Sequence, residues 1–71
     1  MVTGEIGSIL RYFEWGHLPP RLQEVSRPFG ELANRMVETL PTGVTPGAYE
    51  TLAGLRRLLE AKDCAVRAAL E

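Results

Sequence analysis

A chain of 71 residues, 45% of them hydrophobic, makes one domain whose single core contributes only a few kcal/mol of net stability. Eight Lys/Arg against nine Asp/Glu give a formal charge of −1, which argues against broad charge-driven binding to DNA or RNA while leaving room for a few arginines to converge on a small anionic ligand. One cysteine excludes an intrachain disulfide, and one histidine with Cys64 far away in sequence offers no metal-ligand cluster.

No metal and no cofactor are therefore expected, and oligomerisation is the most economical supplement to so small a core. No apolar run approaches the roughly 20 residues that span a bilayer, and the N-terminus lacks the basic region and apolar core of a signal peptide. The expectation is a soluble cytoplasmic protein with no membrane partner.

Residues 1–17 read as an N-terminal arm or short helix. Gly4 and Gly7 break early order, while Ile6, Ile9, Leu10 and Phe13 recur at helical spacing and predict a short helix over about residues 5–14, with Gly16 ending it. Residues 18–71 read as a helical hairpin. Pro19 and Pro20 suit the first turn of a helix, where a missing amide donor costs nothing. Leu22, Val25, Phe29, Leu32 and Met36 then repeat at spacings of three and four, widened by Val37 and Leu40. Pro28 and Gly30 predict a kink near residues 26–28 or two helical pieces, with Ser26 as an alternative cap; the stripe stays in phase, which favours the kink.

Leu40-Pro-Thr-Gly-Val-Thr-Pro-Gly47 is a linker, and Thr45 before Pro46 is placed to cap the helix predicted over residues 46–69. That helix carries two stripes. Leu52, Leu55, Leu59, Val66 and Leu70 form one; Leu58, Ala61, Ala65 and Ala68, led by Thr51 and Gly54, form the other. One partner helix covers one face, and another subunit is the expected cover for the second. The fold class is thus all-α, an antiparallel helical hairpin with an N-terminal arm, assembled as a homo-oligomer.

Lys62 and Asp63 interrupt the leucine stripe, so they sit at the core rim, in a salt bridge or facing a pocket. Arg56, Arg57, Lys62 and Arg67 place four cations on one helix, with Glu60 four residues after Arg56 and Asp63 four before Arg67 as helix-stabilising partners. Tyr12, Phe13, Trp15 and His17 either tuck the arm onto the hairpin or bind a ligand. Phe13 and Trp15 suit the first role, while Tyr12 and His17 can stack on a nucleobase and hydrogen-bond as well. Phe29 reads as core. Catalysis has little support: Cys64 and His17 have no marked orienting partner, and the glutamates form no paired motif. The protein is not expected to be an enzyme.

The segments His17-Leu-Pro-Pro-Arg-Leu-Gln-Glu-Val-Ser-Arg-Pro-Phe29 and Leu55-Arg-Arg-Leu-Leu-Glu-Ala-Lys-Asp-Cys-Ala-Val-Arg-Ala68 resemble a group of small tailed-phage proteins. The arrangement of an aromatic arm, a helix, a brief linker and a second helix ending in Ala65-Val-Arg-Ala68 is similar to the hairpin domain of phage anti-CBASS and anti-Thoeris sponge proteins. The Pro19-Pro20 start departs from the sponge pattern. That resemblance implies a homo-oligomer, a hexamer in the sponges. It also implies a cyclic di- or trinucleotide, or cyclic ADP-ribose, sequestered between subunits in the cytoplasm of an infected host cell. Carried onto this chain, Tyr12 or His17 takes the stacking role and Lys62, Arg56 or Arg67 the phosphate role. The competing expectation is a helical adaptor that grips a host or phage protein through the apolar face of residues 51–70.

Overall fold

The computed structural model describes residues 2–71 and is helical, with no strand among them. Helix α1 spans Val2–Leu10, a 3₁₀ turn follows at Arg11–Phe13, α2 spans Pro20–Thr39 and α3 spans Pro46–Ala69. The last two pack side by side across residues 40–45 as an antiparallel pair, and α1 lies against both. No helix among the described residues is long and apolar enough to cross a membrane.

The first helix begins earlier than its glycines predict. Gly4 and Gly7 lie inside α1 on its exposed face, and their intrinsic cost of roughly 1 kcal/mol each is offset by burial on the opposite side. Ile6, Ile9 and Phe13 are core residues. After Phe13 the chain turns extended at Glu14, and Gly16 lies in the turn beyond rather than at a helix end.

Pro28 does not divide α2. One helix of 20 residues runs through it, which rules out two pieces, and Ser26 is buried in its interior rather than capping anything. The buried line of α2 is Ser26, Gly30 and Ala33, flanked by half-buried Phe29, Met36 and Val37. The inward face is therefore rotated from the one marked by the large side chains, and Leu32 is left 48% exposed. The reason is steric: small residues let the arm and α3 approach the α2 backbone closely.

Thr45 occupies the N-cap of α3 with extended backbone, but its hydroxyl makes no capping bond. Ala48, Thr51, Leu52 and Leu55 are buried, with Leu58 and Leu59 partly so. Both predicted stripes are used here. A Cβ on Gly54 would sit 3.2 Å from Met36 of α2, while Leu52 and Leu59 share a cleft wall with Ile9 of α1. A helix of the same chain thus covers part of the face assigned above to another subunit. Beyond residue 60, Ala61, Ala68 and Leu70 remain exposed.

Candidate functional site

The arm is positioned by alternation. Phe13 points into the core and half-buried Trp15 lies on Gly30, so that Tyr12 and His17 are left exposed. The loop over residues 14–19 is fastened by Gln23, whose amide donates to the carbonyls of Leu18 (2.7 Å) and Gly16 (3.4 Å). From the other side Lys62 Nζ donates to the carbonyl of Tyr12 and sits 5.9 Å above the Phe13 ring centre, within cation–π range.

These anchors leave a cleft of about 370 Å³ between arm, α2 and α3, lined by Tyr12, His17, Ser26, Lys62, Asp63 and Arg67 among others. Arg11 and Glu14 on its rim bring the charges to three cations against two carboxylates. Asp63 lies 3.8 Å from Lys62, which leaves Arg11 and Arg67 as the more available cations. The lining is thus slightly cationic and carries two exposed rings, Tyr12 and His17.

Four of the five residues singled out in the sequence, Tyr12, His17, Lys62 and Arg67, share this cleft. Arg56 does not. It lines a neighbouring hollow of about 540 Å³ beside the other side of Tyr12, where its guanidinium pairs with Glu5 of α1 at 3.1 Å. The predicted pairing of Arg56 with Glu60 is thus replaced by a bridge between helices. Likewise Asp63 pairs with Lys62, and Arg67 donates to Cys64 Sγ at 3.4 Å. Lys62 is both bridged and in a cleft: its side chain is 12% exposed and holds the arm.

Residues that periodicity alone did not mark are Arg11 and Ser26. For Ser26 the available signal is a hydroxyl on the inward side of α2, opposite the charged break in α3. Cys64 is exposed on α3 and does not line the cleft that holds His17. No group of three His, Cys, Asp or Glu among the described residues is placed to hold a metal ion.

The fold defines a small three-helix protein with neighbouring hollows of about 600, 370 and 540 Å³ around its arm, of which the 370 Å³ cleft gathers four of the five residues named from the sequence. No protein-family model matches the chain, and neither a curated protein nor a solved structure is similar to it.

Proposed function

We propose that this chain is a phage immune-evasion protein that binds a cyclic nucleotide second messenger and sequesters it without hydrolysis, in the cytoplasm of an infected host cell. The observation that carries this is the convergence of Tyr12, His17, Lys62 and Arg67 on one cleft. An exposed phenol ring and an imidazole offer faces on which a base stacks. Arg67 offers a planar donor set for a phosphate. Lys62 serves mainly by holding Tyr12 in place. Sequestration asks nothing further of the site, because no bond is made or broken.

At about 370 Å³ the cleft is near the lower end of small-molecule sites, roughly 300–1,000 Å³. It accommodates one nucleotide half of a cyclic dinucleotide, and a second copy of the chain would cover the other half. Supporting that homo-oligomer is an apolar flank of α2 on which Val25 is half-buried and Leu32 is 48% exposed. The hexamer of the sponges is the assembly to look for.

Thermal denaturation with and without cyclic di- and trinucleotides tests the proposal. Stabilisation by one of them, lost in Tyr12→Ala, supports it. The adaptor reading draws on the exposed Ala61, Ala68 and Leu70 at the end of α3; it predicts no response to any nucleotide, and a protein partner lost on Leu70→Glu.

A further inference from the structure

Ser26 is fully buried, and its Oγ has no hydrogen-bond partner. Helical hydroxyls ordinarily return their proton to the carbonyl four residues back, and two others here do so: Thr51 to Gly47 at 3.2 Å and Thr39 to Arg35 at 2.8 Å. Thr51 is itself buried, so burial alone does not explain the orphan. A buried unpaired hydroxyl is unfavourable, and an alanine would fit the same place without that cost.

The position of Ser26 supplies a reason. It is one of the residues lining the cleft, together with Tyr12, His17, Lys62 and Arg67. Its Oγ is closed off in this structure, so a ligand reaches it by displacing neighbouring side chains of the cleft wall, among them half-buried Leu18.

We infer that Ser26 is a ligand-contacting residue, whose hydroxyl donates to a phosphate oxygen held between Arg67 and the arm. This rests on the cleft being a cyclic-nucleotide site, as proposed above. An unpaired donor kept at a site for a partner that arrives later is the usual exchange of folding stability for binding.

The test compares wild type, Ser26→Ala and Ser26→Cys, the second keeping the side chain's shape with a somewhat larger sulfur and a weaker donor. Each is titrated by calorimetry with cyclic di-AMP, cyclic di-GMP and cyclic GMP-AMP, and each is melted without ligand. The expected result is about tenfold weaker binding in both variants, with a Tm unchanged or raised. Wild-type affinity in both variants would overturn this inference and leave the cleft proposal standing. A fall in Tm accompanying weaker binding in both would assign Ser26 a structural role and also overturn it. Failure of wild type to bind any of the three would overturn the cleft proposal for cyclic dinucleotides, and this inference with it.

Discussion

The Cζ3 and Cε3 atoms of the Trp15 indole lie against Gly30, so close that a Cβ at residue 30 would collide with the ring and fall 2.7 Å from the carbonyl oxygen of Phe13. Gly30 is therefore a seat for the arm, in the middle of a helix that would otherwise gain from any residue but proline. Gly30→Ala improves helix propensity by about 1 kcal/mol but overpacks the seat, and the net expectation is a loss of about 1–3 kcal/mol. Trp15 is the sole tryptophan, so its emission should shift to the red as the ring is displaced. An unchanged spectrum and a raised Tm would show that the arm is not seated there.

Lys62 reaches across 50 positions of sequence to the carbonyl of Tyr12. Lys62→Met keeps much of the stem over Phe13 and removes the charged donor, so the arm should loosen with a loss of about 1–2 kcal/mol in urea denaturation. A change under about 0.5 kcal/mol, ordinary for a surface position, would mean that the amine is merely solvated.

Gly7 sits inside α1 with open space around a built Cβ. Gly7→Ala should stabilise the protein by about 0.5–1 kcal/mol, seen as a rise in Tm of several degrees for a domain this small. Destabilisation would place another body against that face, and its dependence on protein concentration would identify the body as a second subunit.

Arg56 and Arg67 look alike in the sequence but differ in place. The Arg56–Glu5 bridge is exposed at both ends, so Arg56→Ala should change stability by less than about 1 kcal/mol and leave nucleotide binding within about threefold. Arg67→Ala should be as stable as wild type and bind at least tenfold more weakly, a loss of about 1.4 kcal/mol. Titration of the two variants side by side distinguishes them.

The long helices were legible because their signals are local. Proline at the first turn, a Pro/Gly linker and dense helix formers place α2 and α3 within a residue or two of Pro20–Thr39 and Pro46–Ala69. The N-terminal helix was harder to read, because the burial that compensates Gly4 and Gly7 involves helices far along the chain. The rotation of α2 was hidden for a related reason. Hydrophobic periodicity follows large side chains, whereas close approach selects small ones, so Ser26, Gly30 and Ala33 define the buried face. At the cleft, the break in the α3 stripe left Lys62 and Asp63 as charges at the core rim, in a salt bridge or facing a pocket, and the structure has them 3.8 Å apart in the cleft lining. Periodicity carried no information about which cations a tertiary partner would claim, and Arg56 was lost to Glu5 in that way.

The central claim is best tested by calorimetric titration of the purified protein, at moderate salt, with cyclic di- and trinucleotides and cyclic ADP-ribose isomers. Subunit number should be measured on the same sample. The account predicts tight saturable binding of at least one of these at a defined fraction of ligand per subunit, abolished by Tyr12→Ala at unchanged Tm. Silence across the panel from folded, oligomeric protein would contradict it and favour the adaptor that uses the exposed end of α3.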